Sequence, residues 1–525
     1  MTLTRLDGHD PSRRRWLHGA MALASLAATG PFARLAGSTH WLDDPFRLGV
    51  ASGDPSADGA VLWTRLLIDP HVPDGGLPPL AVPVRWEVAE DERFFRVVQT
   101  GDALARPERA HAVHVAPAGL EPDREYHYRF LCGEAVSRTG RFRTLPAPGL
   151  RVDSFRFAVA SCQHYEHGWF AAHRHIAANA PSLVLHLGDY IYEGSFGERL
   201  RRHESDAPLA TLDGYRARYA HYKLDPDLQA AHAACAWVPI WDDHEVANDY
   251  AGDLAIDGED PALFHARRLA TYRAWIEHMP VRAALAGGTR IFRRLAIGSL
   301  ADLHLLDDRQ YRDPQPCITR DRVYAGNITP DCPGRGDPTR SLLGAAQQEW
   351  LEAGLAASAA RWNLIGQQTL IAPFYTRGDD GAVSVWSDAW DGYPASRERL
   401  LRHLDGLRLP NAVTFGGDVH AFHVTDLKAD YAADDAPLVA TEFVTSSLTT
   451  DDGDPAALAR DLALNPHVRY ADCSHRGWLD VTFAPERLDV RLMALADVRD
   501  PESVARTLRA YAVEDGVCGA QLAAG

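Results

Sequence analysis

The sequence predicts an α/β protein carrying an N-terminal β-sandwich, and three observations support that class. Residues 44–146 break into short strand-like segments separated by turns. Beyond the stretch APGLRVD, at 147–153, apolar strand-like runs alternate with longer helical patterns. The apolar runs of this second part end in clusters of acidic, polar, histidine and cysteine residues.

The N-terminal segments are VLWTRL, VPVRWEVAE, HAVHVA, EYHYRFLC and SRTGRFRTL. They are rich in β-branched and aromatic side chains, and their spacing between turn residues suits a sandwich of two sheets. GLEPDREYHYRF resembles the corner of fibronectin type III or immunoglobulin-like domains, in which a tyrosine fixes the turn between the sheets. The sandwich is assigned to residues 44–146, with APGLRVD as the linker. The second unit, assigned to 152–520, carries helical patterns at 168–180, 261–278 and 343–360 between its apolar runs, the alternation of an α/β domain.

Where those runs stop is informative. FRFAVA leads into SCQHY, SLVLHL into GDYIYEG, AWVPI into WDDHE, LHLL into DDRQYRD, NLIG into QQT, and NAVTF into GGDVHAF. In α/β sheets ligands collect beyond the carboxyl ends of the strands, so these six endings are expected to converge. WDDHEVANDY, at 241–250, is the densest, with Asp242, Asp243, Glu245 and Asp249 crowded around His244. Carboxylates that close repel one another unless a cation neutralises them, so the stretch calls for a metal. GDYIY offers Asp189 and Tyr192 across a turn, SCQHY offers Cys162, and GGDVHAFH offers Asp418, His420 and His423. Singly, each has an ordinary reading as a turn former, a small buried thiol or a solvated histidine; their order along the chain is more specific than any of them.

At 525 residues the chain is long enough for two domains and a leader. Its formal charge of −17 argues against a general affinity for nucleic acid or anionic lipid, so an anionic substrate would have to be held by a local cation. Near the N-terminus SRRRWLH precedes the Ala-rich GAMALASLAATG, which resembles a twin-arginine export signal over 1–40, with Arg13 and Arg14 as the pair and Trp16 and Leu17 following. The expected partner is the twin-arginine export machinery, and the expected location is periplasmic or secreted. No later run of ~18 apolar residues suggests a membrane span. Of the seven cysteines, Cys317 and Cys332 bracket a Pro-, Gly- and Arg-rich loop suited to a disulfide, and Cys162 is the candidate for a free thiol.

The order of a first-strand ligand, GD-x-x-Y, D-H-E and G-D-x-H resembles the metallophosphoesterase superfamily, and the variant with Cys162 in the first motif resembles the PhoD alkaline phosphatase family. FRLGVASGDPSADGAVLWTRL, at 46–66, is similar to that family's N-terminal sandwich, and the resemblance extends to near residue 483. It implies a four-layer, double-sheet catalytic domain with metals at the strand ends. Carried over by motif, Cys162, Asp189, Tyr192 and His420 would bind Fe3+, and Asp189 would bridge to a second site with Asp243 and Asp418. Thiolate, phenolate and carboxylate suit a trivalent ion, whereas oxygen donors without imidazole suit a hard cation such as Ca2+. LIGQQT puts Gln367 or Gln368 where the superfamily has a histidine, which argues against zinc.

By the same resemblance His244 would contact a phosphoryl oxygen or protonate the leaving group. Arg309 and Arg312 are candidates to clamp phosphate oxygens; salt bridges to Asp307, Asp308 or Asp313 are the competing reading. Glu245 is read as support for the ligand loop. The implied function is an exported, metal-dependent phosphoesterase that hydrolyses phosphomonoesters, phosphodiesters or both with metal-activated water. A phosphodiesterase or phospholipase D-like enzyme is the alternative within that class. Outside it stands a non-catalytic exported protein that binds metal or phosphoesters, against which His244 beside the ligands argues.

Overall fold

The computed structural model describes residues 41–523 apart from 42, 73, 256–257, 319–324, 410, 434 and 452. The leader assigned to 1–40, with its paired arginines, lies outside the described residues.

The N-terminal part contains β1 (Val50–Ser56), β2 (Gly59–Arg65), β3 (Val82–Ala89), β4 (Val97–Ala105), β5 (Ala112–Val115), β6 (Glu125–Cys132), β7 (Ala135–Val136) and β8 (Gly140–Arg143). There follow β9 (Phe155–Ala160), α1 (Ala171–Asn179), β10 (Leu183–His186), α2 (Leu212–Lys223), α3 (Pro226–Ala234), β11 (Ala236–Pro239), α4 (Pro261–His278), α5 (Ala283–Ala286), β12 (Arg293–Ile297) and β13 (Ala301–Leu305). Next are β14 (Asn327–Ile328), α6 (Gly344–Ala356), β15 (Trp362–Gly366), β16 (Tyr375–Arg377), β17 (Val383–Trp386), α7 (Pro394–Leu407), β18 (Ala412–Gly416), β19 (Phe422–Lys428) and β20 (Leu438–Val444). The chain closes with α8 (Pro455–Asp461), β21 (Val468–Asp472), β22 (Gly477–Phe483), β23 (Arg487–Leu495), β24 (Ala505–Glu514) and β25 (Gln521–Leu522). Among the described residues no helix is long and apolar enough to cross a membrane.

Two large sheets dominate. The first has ten strands in the order β25-β24-β23-β22-β9-β10-β11-β1-β2-β5, and the second has seven in the order β12-β13-β15-β18-β20-β19-β21. At the centre of the first, β9, β10, β11 and β1 run parallel, and at the centre of the second β13, β15, β18 and β20 do. Strands buried on both faces read as continuous apolar runs. Every residue of β10, β11, β13, β15 and β18 is buried; LVLH, AWVP and AVTFG are largely apolar, whereas ADLHL and WNLIG also bury Asp302, His304 and Asn363. The two sheets share one core, in which Phe157 of β9 meets Phe415 of β18 edge-on at 5.4 Å. Ile176 of α1 and Leu228 of α3 pack into this core, and Leu351, Leu400 and Leu404 of α6 and α7 cover the second sheet. The result is the expected double-sheet α/β architecture with helices outside.

The N-terminal strands divide between two sheets. β3, β4, β6, β7 and β8 form a small antiparallel sheet, whereas β1, β2 and β5 continue the first large sheet through the parallel pairing of β1 with β11. Val50, Leu62 and Val113 of the shared sheet pack on Val84, Tyr128 and Phe142 of the small one, so β1–β8 make a sandwich with one wall in common with the α/β unit. The tyrosine corner is present, with the Glu121 N–H donating to Tyr126 Oη at 3.0 Å. A three-stranded sheet, β14-β17-β16, stands apart, held by a small core of Ile328, Cys332 and Val385 and by the Cys317–Cys332 disulfide.

Candidate metal centre and catalytic cleft

The strand ends bring Cys162, Asp189 and His420 together, a potential ligand atom from each lying within 4.8 Å of the others. The Tyr192 hydroxyl joins them, 3.0 Å from Asp189 Oδ2, 3.4 Å from His420 Nε2 and 2.7 Å from Thr450 Oγ1. Cys162, Asp189, Asp418 and His420 have φ values of 58°, 55°, 63° and 52°, a left-handed conformation that non-glycine residues rarely take. Strain of this kind costs ~1–3 kcal/mol per residue, clusters at ligand sites and persists only where the surroundings over-determine it. Here the surroundings are plain. Glu245 accepts hydrogen bonds from the backbone N–H groups of Asp189, Tyr190 and Asp242 at 3.0, 2.6 and 2.8 Å, the loop support expected of it. Gly188, at φ +111°, lies so close to Asp242 that a Cβ would collide with it.

This donor set fits a metal ion. Burial, reinforced by the Asp189 charge, pushes the Cys162 thiol and the Tyr192 phenol well above their ordinary values. Burial also pushes Asp189 well up, with His244 opposing. Acids packed this closely keep their protons in the absence of a cation, and a cation reverses that balance.

A second group adjoins the first. Asp242, Asp243 and Asp418 have carboxylate oxygens within 4.8 Å of one another, and Asp242 Oδ2 and Asp243 Oδ1 are buried without a hydrogen-bond partner. Burial pushes Asp242 up to about 6 against the pull of Arg309, and Asp418 well up with Asp242 adding to it. Burial acts on Asp243 too, but Arg309 and His244 outweigh it and hold that carboxyl below the ordinary range.

Arg309, a sequence candidate for clamping phosphate, is 0% exposed and does not line the cleft. Its guanidinium donates to Asp242, Asp388 and Asp418, the last at 3.0 Å, and lies 3.5 Å from Asp243. Arg312 is likewise buried and donates to Asp388 at 2.7 Å. The physical reason is the convergence itself: strand ends carrying this many carboxylates need a cation among them, and Arg309 supplies one. Asp307, one of the competing partners, instead accepts the backbone N–H groups of Arg309 and Gln310.

Over both groups opens a cleft of about 590 Å³. Asp189, Asp243, His244, Asp418 and His420 line it, while Cys162 and Tyr192 are buried outside its lining. His244 Nδ1 lies 2.8 Å from Glu193 Oε2, and Glu193 Oε1 accepts the Asn248 N–H at 2.8 Å. Burial alone would lower the His244 pKa, but Glu193, Asp243 and Asp189 outweigh it and raise it well above the ordinary value.

The sequence reading missed Glu193, Thr450, Asp388 and the apolar wall of the cleft. Glu193 had a signal, a carboxylate directly after GDYIY inside the ligand turn; Thr450 and Asp388 had none. Gln367 and Gln368 are buried and engaged with Thr369, Trp390, Asp308 and Trp241. His423 packs edge-on against Phe374 as a core histidine. A separate cluster, His164, Glu166 and His203, also has ligand atoms within 4.8 Å of one another, but His164 Nδ1 already accepts the Glu166 N–H at 3.1 Å and His203 Nε2 lies 3.1 Å from Tyr222 Oη.

Comparison with known proteins agrees with this geometry. A family model described as PhoD-like phosphatase matches residues 157–492, and one described as PhoD-like phosphatase, N-terminal domain, matches 33–146. The chain is 40% identical over 526 aligned residues to alkaline phosphatase D of Bacillus subtilis (strain 168), covering 97% of this chain and 88% of that protein. A solved structure described as that of PhoD superposes with a TM-score of 0.87 at 39% identity, covering 93% of this chain and 94% of the other. With both family models in register along it and a full-length relative at this identity, the chain belongs to the PhoD-like phosphatase family.

Proposed function

We propose that this PhoD-like phosphatase, a hydrolase of phosphoric ester bonds, holds Fe3+ through Cys162, Asp189, Tyr192 and His420 and Ca2+ through Asp189, Asp243 and Asp418, and directs His244 at the ester oxygens. The observation that carries the reading is the meeting of Cys162, Asp189 and His420 within 4.8 Å, all in the left-handed conformation. When bound, such ions neutralise phosphoryl charge and acidify water.

The chain's own groups do the rest. Glu193 fixes the His244 ring through Nδ1 and, as a carboxylate, favours its protonated form, so the imidazole can donate to a phosphoryl oxygen or deliver a proton to the departing alkoxide. Cations on Asp189 and Asp243 would cancel part of the field that raises His244, leaving Glu193 as its main support. Arg309 positions Asp242 and Asp418 from behind. The local cations resolve the conflict between an anionic substrate and a chain of net charge −17.

The test is metal content together with catalytic efficiency on p-nitrophenyl phosphate and bis-p-nitrophenyl phosphate. Purified protein should carry stoichiometric iron and turn over at least one ester, and Cys162→Ser should lose the iron; normal iron loading in that variant refutes the ligand assignment. The ratio of kcat/KM on the two esters decides between a phosphomonoesterase and a phosphodiesterase. Export through the twin-arginine route is supported by Arg13, Arg14, Trp16 and Leu17. Replacing Arg13 and Arg14 together by lysine should retain the protein in the cytoplasm, and unchanged export would overturn that part.

A further inference from the structure

We propose that the apolar wall of the cleft, Trp386 and Phe196, is a binding site for a planar aromatic or heteroaromatic group carried on the alcohol side of the phosphoester. The proposal rests on the phosphoesterase reading and names the substrate class that the cleft selects.

Two large aromatic side chains are exposed in the same cleft as the charged groups: Phe196 is 37% exposed and Trp386 41%. Neither is a loose surface residue. The Phe196 ring stacks near His244 at 5.8 Å and meets His164 and His167 edge-on at 4.6 and 5.1 Å, while its carbonyl oxygen lies 2.7 Å from His167 Nε2. Its face is therefore held in place beside the residue assigned to the leaving group.

Trp386 is fixed from both directions along the chain. Val385 points into the small core with Ile328 and Cys332, so strand alternation turns Trp386 to the opposite face of β17. Ser387 exchanges hydrogen bonds with Gly326, its N–H donating to the carbonyl and its Oγ accepting the N–H, each at 3.0 Å. One residue later Asp388 is clamped by Arg309, Arg312 and Gln315. The disulfide and the buried ion network thus present an indole to water beside the carboxylates, in an arrangement that does nothing for the core.

The polar side of the cleft is equally selective. Among the described residues its lining contains no lysine or arginine, which suits a substrate with one phosphoryl group and an uncharged organic part. Pockets that pair a few convergent polar groups with aromatic walls are the usual form of small-molecule sites. Stacking on such side chains accepts any π face, nucleobase or simple aryl.

Catalytic efficiency on 1-naphthylmethyl phosphate and ethyl phosphate tests this, because the two leaving alcohols are close in acidity. The wild-type protein should prefer the naphthylmethyl ester by about 10- to 100-fold, the range of a base stacked on an aromatic side chain. Trp386→Ala should reduce the preference at least tenfold, Phe196→Leu should reduce it too, and Trp386→Phe should keep most of it. A wild-type ratio near one, or a ratio that survives Trp386→Ala, overturns the proposal. Thymidine 5′-phosphate and benzyl phosphate then distinguish a nucleoside from a simple aryl source. Competition between naphthylmethylphosphonate and ethylphosphonate reads the same preference without turnover. Equal binding of the two sinks the aromatic site, whereas a retained preference without hydrolysis of any ester sinks the phosphoesterase reading instead.

Discussion

Replacing Arg309 by methionine should remove the cation around which the buried carboxylates are arranged while keeping most of the side chain's volume. The guanidinium is 0% exposed and contacts Asp242, Asp243, Asp388 and Asp418. Asp388 keeps Arg312 and Gln315 in the variant, but Asp242 and Asp243 lose their principal counter-charge. Leaving a buried charge uncompensated costs ~3–5 kcal/mol, and with several carboxylates affected the metal-free loss should fall at the upper end of that range.

The loss should also depend on pH, with a definite sign. Asp242 is pushed up to about 6 from 3.8, so its folded form binds more protons than the unfolded chain between those values, and stability falls as pH rises through that window. Without Arg309 the carboxyl moves further up and the window extends to higher pH. The gap between wild type and variant therefore widens from pH 5.5 to pH 8. The assay is guanidinium unfolding in EDTA followed by tryptophan fluorescence, repeated with calcium, which should rescue the variant more than the wild type by neutralising the same oxygens. A gap below ~1 kcal/mol at pH 8, or one that does not change with pH, would refute the view that Arg309 compensates ionised carboxylates.

His244→Ala should lower kcat by ~10²–10⁴ with metal content unchanged, the range for loss of a positioned acid, and Glu193→Gln should show a smaller loss; equal turnover in all three proteins would remove both from the chemistry. Burial, opposed by the Ile371 and Ala372 N–H groups, raises Glu442 from 4.5 to about 7. Its contribution is therefore full below pH 4.5 and lost by ~3 kcal/mol as pH rises through 7, and Glu442→Gln should flatten unfolding curves in that window. The Cys317–Cys332 bridge spans a separation of 15 residues, for which loop-closure entropy predicts up to ~3 kcal/mol. Replacing both cysteines by serine should speed proteolysis between them, and unchanged cleavage would show that the small sheet needs no staple.

The parts of the fold legible in the sequence were those with a single physical cause. β10, β11 and β18 were readable because burial on both faces leaves a largely apolar run, β9, β13 and β15 were readable despite Arg156, Asp302, His304 and Asn363 within them, and the polar residues after each run marked where the sheets end. The helix α4 coincides with its predicted span, with Pro261 at its first turn and Asp260 capping the N–H groups of Ala262 and Leu263. The helix α2 was hidden because the side chains it buries include Arg216, Arg218, Tyr215, Tyr219 and Tyr222, leaving no apolar stripe. At the site, an arginine amid aspartates reads the same whether it faces phosphate or carboxylate, so Arg309 could be placed only by its surroundings. Trp386 was invisible for a similar reason: an indole in a short strand looks like core until the neighbouring valine is seen to take that place.

The ten-stranded sheet has a bearing on how the protein is made. Its members include β1 at residues 50–56 and β25 at 521–522, and β1 finds its parallel partner β11 only after the 179 intervening residues 57–235. A growing chain cannot complete such a sheet from its N-terminus onward, because the first strand must wait for the eleventh and the far edge for residues 521–522. Cutting the chain at residues 147–153 would strip β11 of a neighbour and open its edge to other chains, although one family model ends and the other begins near that point. The shared sheet makes the two parts one folding unit.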